Sequence, residues 1–276
     1  MIIETTAGAL ALGVSVYALL PPALRAAGLH RPYRGPTYRM PYGSRALIVA
    51  TSHATLGETG RKTGVFSSEL TAPYYAFQDA GMTVDVASIA GGAIPFDPAS
   101  FAWAVIAPSD RRAQWDPVLQ TKVAASRAVG SVSFAAYDIV FLAGGWGAAY
   151  DFGASEVLGE RITRAWAARR VVGGVCHGPL GLLRARDEAG QPLVRGRRLT
   201  AVTDRQVKQL RITATPMHPE RELRAAGAVF ESRTRRLDVL ADYVVADGRL
   251  VTGQNQNAGE GCAQLMMAVA GGIRLT

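Results

Sequence analysis

The feature that most restricts the fold of this chain is the apolar run over residues 171–183, built around Gly174-Val175-Cys176-His177-Gly178-Pro179. Val171, Val172 and Val175 have the continuous apolar character of a buried strand, and Pro179 followed by Leu180, Leu182 and Leu183 predicts the first turns of a helix. Cys176 falls between the two. Gly174 and Gly178 suit a strand-to-helix turn so sharp that the central side chain projects from the sheet edge as a nucleophile elbow. A cysteine there meets the first backbone N–H groups of the helix and the positive end of its dipole, which favour thiolate over thiol. The expectation is an exposed, reactive nucleophile; the alternative is a buried structural cysteine.

An elbow of this kind belongs to a parallel sheet. Short apolar strands at 46–50, 84–87, 138–143 and 171–175 alternate with helical spacing at 68–80 and 155–168, the second helix capped by Ser155. That alternation implies an α/β three-layer sandwich with a mostly parallel central sheet. Further on, a helix near 219–226, strands at 228–231, 243–246 and 250–252, and a closing helix at 261–270 complete the pattern. With 276 residues, 49% of them hydrophobic, the chain fits one large catalytic domain over 45–276 rather than two. Ligands of such sheets bind outside the carboxyl ends of the strands. Three loops meet that condition: residues 51–69, the turn Gly144-Gly145-Trp146-Gly147, and the elbow itself.

Composition removes several function classes. Cys176 and Cys262 offer no disulfide framework, and a thiol nucleophile belongs in a reducing, cytoplasmic compartment. His30, His53, His177 and His218 are scattered without a paired carboxylate or cysteine motif, so no metal is expected. The glycine turn lacks the lysine and serine of a phosphate-binding loop, and no nucleotide cofactor is expected either. A net charge of +8, carried mostly by scattered arginines without interleaved aromatics, argues against nucleic acid and leaves anionic lipid as an option. Residues 1–30 read as an apolar N-terminal helix, charge-free from Thr5 to Leu20. That helix is either a membrane anchor with the domain on its cytoplasmic side, given Arg25, Arg31 and Arg34 behind it, or a helix packed on the domain or a second subunit. Residues 31–44 read as a linker, and a homodimer is the expected assembly.

The chemistry the loops can carry starts at Cys176. If His177 converges on the sulfur it is the natural base, with an ordinary pKa near about 6.5. Gly144, Gly145 and Gly147 form a tight turn that leaves backbone amides free, those of Gly145 and Trp146 being the expected oxyanion donors. Glu69, by its position alone, is an ordinary first-turn acid.

Several of these segments together resemble the ThiJ/PfpI superfamily. They are Cys176-His177-Gly178-Pro179, the run Gly60-Arg61-Lys62-Thr63-Gly64 through Glu69-Leu70 to Pro73-Tyr74, the strand around Val84-Asp85, Gly144-Gly145-x-Gly147 before Asp151-Phe152, and the residues 247–255. Within the superfamily they are most similar to the heat-shock chaperone and glyoxalase III branch, of the class I glutamine amidotransferase-like fold with its flavodoxin-like sheet. The resemblance implies that Cys176 is the nucleophile, His177 the adjacent base, and Glu69 a protonated carboxyl held against the sulfur. It further implies glutathione-independent conversion of methylglyoxal, a small reactive carbonyl, to D-lactate without a cofactor. Two departures stand out. Trp146 occupies a position where the branch has histidine, and the acid that orients the histidine would fall at Gln206 or Val207, leaving Asp204 as the nearest substitute. Gln256 and Asn257 also replace a proline of the branch's last motif. The same fold would suit a holding chaperone that works through apolar surface, or less well an amidotransferase or peptidase, and an exposed thiolate would be open to oxidation.

Overall fold

The computed structural model of the chain describes residues 18–212, 214–233 and 237–273. Its strands in chain order are β1 (Arg45–Ala50), β2 (Thr83–Ser88), β3 (Arg127–Ala128), β4 (Ile139–Leu142), β5 (Val171–Val175), β6 (Arg198–Leu199), β7 (Val229–Phe230), β8 (Val244–Asp247) and β9 (Leu250–Gly253). Among the described residues seven of them form one sheet in the order β3-β2-β1-β4-β5-β9-β8, parallel except for the β8–β9 pair, while β6 and β7 pair separately. The α/β sandwich with a mostly parallel sheet therefore follows the expectation from sequence.

Period-two alternation explains the layers. In β1, Ile48 and Ala50 face one side and Leu47 and Val49 the other; in β4, Phe141 joins the first side and Val140 and Leu142 the second. The helices divide accordingly. The helix α1 covers residues 18–27 and α2 is Ser67–Asp79. Leu70, Tyr74 and Phe77 of α2 pack on the first face. On the second face lie Leu158 and Ile162, which belong to the helix Glu156–Ala167. The closing helix Gly259–Ala270 returns to the first face with Met266 and Met267. Both faces are thus dry, which continuous apolar strands such as β5 require.

The boundaries of the long helices lie within two residues of those read from sequence. Ser155 caps its helix as expected, its hydroxyl accepting from the Leu158 amide at 3.1 Å. Short helices at Pro108–Ala113, Pro117–Ala124 and Asp204–Leu210 were not expected. Their start signals are nonetheless present: Asp116 accepts from the amides of Val118 and Leu119, both at 3.0 Å, and Thr203 accepts from Gln206, also at 3.0 Å.

One expectation needs correction. The segment after the elbow is a 3-10 turn, Gly178–Leu182, rather than the first turns of an α-helix. Its bonds run three residues back, from the Leu180 amide to the His177 carbonyl and from Leu183 to Leu180, both at 3.1 Å. Close packing explains the tight winding. The chain lies so near β4 that a Cβ at Gly178 would stand 2.1 Å from the Leu142 carbonyl oxygen.

Residues 31–44 form no regular element, as a linker would, but they are tied down along the first face. The Tyr38 amide donates to Gln264 Oε1 at 3.2 Å and the Met40 amide to the Ala80 carbonyl at 2.9 Å, and just before the segment the His30 amide donates to Asn257 Oδ1 at 2.8 Å. The apolar stretch that suggests an anchor lies mostly outside the described residues. Among those described, no helix is long and apolar enough to cross a membrane.

Gly178→Ala is expected to cost about 3 kcal/mol, because the added methyl meets backbone that cannot give way. Ser155→Ala, which removes one cap, is expected to cost about 1 kcal/mol. Urea unfolding of both variants checks the order, and a glycine variant no less stable than the cap variant would contradict the packing described.

Candidate active site

The elbow begins with backbone strain. Cys176, at the carboxyl end of β5, has φ 58°, a left-handed conformation that costs a residue with a side chain about 1 to 3 kcal/mol. Two hydrogen bonds hold it there: its amide donates to the Gly253 carbonyl and its carbonyl accepts from the Val202 amide, both at 3.1 Å. In this pose the sulfur lies 3.4 Å from Nδ1 of His177.

The Gly144-Gly145 turn after β4 brings in the third group. Gly145 has φ 103° and packs so closely on the chain ahead of α2 that a Cβ would lie 2.4 Å from the Gly64 carbonyl oxygen. The Gly147 amide donates to that same oxygen at 3.2 Å. The start of α2 is thereby pinned against the elbow, and Glu69 in its first turn, only 1% exposed, faces the sulfur. Its Oε2 is buried without a hydrogen-bond partner among the described residues, and the Cys176 thiol and the Gly144 amide are the neighbours that favour its charged form.

Burial dominates the electrostatics. It pushes the Glu69 carboxyl up to about 8, against a weaker opposing influence of the Cys176 thiol and the Gly144 amide, so the group carries its proton at neutral pH. Burial and the neighbouring Glu69 carboxyl push the thiol well above its usual value, while the amides of Gly145 and His177 act the other way. This corrects the expectation of an exposed thiolate at a helix N-terminus. Cys176 is 7% exposed, and the short 3-10 turn behind it supplies no α-helix dipole. The imidazole of His177 is depressed to about 3, first by burial and then by the charge of His218, so it is neutral at physiological pH rather than poised near its ordinary value.

The remaining expected residues are placed as follows. Trp146 is buried with its ring 4.7 Å from that of His177 at 56°. Its amide is not among the groups that favour the thiolate, which are the amides of Gly145 and His177. Asp204 does not hydrogen-bond His177: its Oδ1 lies 3.9 Å from Nδ1 of His218, and Nε2 of His177 is buried without a partner among the described residues. His218 was missed by sequence reasoning. Its only local mark is its place directly before Pro219, at the start of the helix Pro219–Ala225. Among the described residues no group of three or more histidines, cysteines and acids could hold a metal ion. A separate groove of about 750 Å³ runs between residues 30–39 and α2, and Cys176, His177 and Glu69 do not line it.

A mostly parallel α/β sheet thus presents a strained cysteine beside a buried glutamate and a histidine. The DJ-1/PfpI family model matches residues 62–268, and the chain belongs to that family. Among its curated relatives, a glutathione-independent glyoxalase of Schizosaccharomyces pombe is 26% identical over 84% of this chain and 98% of its own length. A second, the glutathione-independent glyoxalase HSP31 of Saccharomyces cerevisiae, is 29% identical over 76% of this chain and 91% of its own. Among solved structures, Rapid Encystment Protein 24 KDa of Francisella tularensis superposes with a TM-score of 0.77 at 30% identity, covering 82% of this chain and 99% of that one. Glyoxalase III of Candida albicans shares the fold with a TM-score of 0.75 at 24% identity, over 82% of this chain and 97% of that one.

The two shifted groups bear on stability with opposite signs. Glu69 holds its proton to about pH 8 when folded but releases it near 4.5 when unfolded, so its contribution is lost as pH rises through that window. His177 stays neutral down to about pH 3 when folded but takes up a proton near 6.5 when unfolded, so its contribution is lost as pH falls through that range. They oppose each other below about pH 6.5, and Glu69 acts alone above it. Wild type is expected to lose about 2 kcal/mol between pH 6.5 and 8, and Glu69→Gln is expected not to. Urea unfolding at both pH values measures this; parallel losses in the two proteins would refute the buried, protonated glutamate.

Proposed function

We propose that the chain is a glutathione-independent, glyoxalase III-like enzyme that converts methylglyoxal to D-lactate through a hemithioacetal on Cys176. The observation that carries this reading is His177 Nδ1 3.4 Å from the Cys176 sulfur at the elbow, with the buried Glu69 carboxyl and that thiol each shifting the other's proton affinity. The activity for which the chain's yeast relatives are named points the same way.

Sγ adds to the aldehyde carbon and forms a C–S bond, while the thiol proton passes to Nδ1 of His177 and on to the new hydroxyl. The hydrogen on that carbon then leaves as a proton to a base, its electron pair moves into an enediol, and a proton returned to the neighbouring carbon yields the lactyl thioester. Water hydrolyses the thioester to lactate and restores the thiol. Methylglyoxal and water in, lactate out, the step balances without an oxidant or a reductant. An imidazole whose pKa is about 3 passes a proton on rather than keeping it, whereas Glu69, near 8, is the group suited to hold one close to neutrality. The amides of Gly145 and His177 favour negative charge on the sulfur. A substrate this small suits a site whose rim residue is Trp146, and a thiol nucleophile suits a reducing compartment.

Purified full-length protein supplied with methylglyoxal is expected to form D-lactate, measured with a D-lactate-specific enzymatic assay. Cys176→Ser should reduce turnover at least about a hundredfold, and Glu69→Gln about tenfold to a hundredfold. Folded wild-type protein that produces no lactate overturns the assignment, as does a serine variant that still turns over.

A further inference from the structure

The groove between residues 30–39 and α2 takes no part in the chemistry at the elbow, yet it has the features of a binding site. Its volume of about 750 Å³ lies within the range of about 300 to 1,000 Å³ typical of small-molecule pockets. Ser68 and Glu69 are neighbours in the first turn of α2, but Ser68 lines the groove and Glu69 does not. Ser68 is only 1% exposed, and its hydroxyl is buried without a hydrogen-bond partner among the described residues. A buried hydroxyl left unpaired is unfavourable, and a ligand oxygen in the groove would satisfy it.

Other free polar groups around the groove are donors. Gln264, 5% exposed, uses its Oε1 to accept from the Tyr38 amide, which leaves its NH2 available. Arg31 and Arg39 line the groove from the facing segment and form no ion pair among the described residues. Two acids also line it. Asp79 is already held by Arg112, whose Nη1 and Nη2 donate to its two oxygens at 2.7 and 2.8 Å, so Glu260 alone stands against two free guanidiniums. Burial first, and then the nearby Asp79, shift Glu260 itself toward its neutral form. Ser68 is the second residue of α2, a helix of 13 residues, so the positive end of that dipole lies beside the groove.

An anion is the complementary ligand. A carboxylate is planar and is satisfied by one guanidinium fork, whereas a phosphate monoester presents three terminal oxygens in different directions and takes donors from several sides. Donors come here from two walls, Ser68 and Gln264 on helices and Arg31 and Arg39 on the segment across from them. A bare phosphate would leave most of the volume empty, and Tyr33 and Tyr38 in the same lining offer ring surface to an organic body. We propose that the groove is a second ligand site, separate from Cys176, which binds a small organic phosphate monoester through Arg31, Arg39, Ser68 and Gln264.

Isothermal titration of the full chain with adenosine 5′-monophosphate tests this, with adenosine and inorganic phosphate as probes of its two halves. The monophosphate is expected to bind with a Kd below about 1 mM, and at least about tenfold tighter than either half. Arg31→Gln combined with Arg39→Gln should weaken it at least about tenfold, and Ser68→Ala about threefold to tenfold. Both arginines are exposed, so the double variant should melt at the wild-type temperature. Cys176→Ala should bind as wild type does. The inference is overturned by a monophosphate that does not bind, by adenosine or inorganic phosphate binding as tightly, or by unchanged affinity in the arginine variant. Loss of binding in Cys176→Ala would put the ligand at the elbow and overturn it as well. None of these readouts depends on methylglyoxal turnover.

Discussion

A Glu69 carboxyl that keeps its proton beside the Cys176 thiol exists only where water is kept out, and much of the architecture serves that end. In solvent the carboxyl would ionise and the sulfur would find other partners. Here α2 is drawn in by the close contact of Gly145 with the chain at Gly64, and its first turn is driven against the sheet by Leu70, Tyr74 and Phe77 behind it. Burial then does the chemistry's first step, since it is the leading cause of the rise of Glu69 to about 8. A carboxyl that keeps its proton can face a sulfur that must become negative; an ionised one would oppose it.

The elbow supplies the other half of the arrangement. A left-handed cysteine is unfavourable by itself, so the strain must be held by bonds that would be lost on relaxation, and the links to Gly253 and Val202 provide them. Both partners lie on segments fixed by the sheet or next to it: Gly253 ends β9, which pairs with β5 in register. The sulfur's position is therefore set by the central strands of the domain, and the more variable loops need supply only its neighbours.

How much of this was legible in the sequence depends on the range of the interaction. The strand β5 and the cap at Ser155 are local, and composition over a few residues suffices to read them. The helices at Pro108–Ala113 and Pro117–Ala124 are local too, with proline at their first positions and Asp116 as a cap, yet they are too short for apolar spacing to mark them. Burial of Cys176 was illegible for a different reason: glycines predict the turn, but whether other elements then cover the sulfur is decided by α2 and the Trp146 turn from elsewhere in the chain. Glu69 shows the limit most clearly. A first-turn acid is favoured on any helix, so its position could not distinguish a surface residue from one pressed against a thiol; only the resemblance singled it out. For His218 there was no such guide, because its relation to Asp204 arises where two short helices meet.

The departures from the family pattern form one coherent change. Trp146 in place of a polar residue packs an indole on the His177 ring, which withdraws water from it, and the absence of a carboxylate at Nε2 withdraws the anion that would stabilise an imidazolium. Both push in the same direction, toward an imidazole that stays neutral to about pH 3. A site altered in this way cannot use His177 to store a proton between steps. It can still use the ring to pass one, provided the tautomer is correct, and it has in Glu69 a group whose affinity for a proton lies near neutrality.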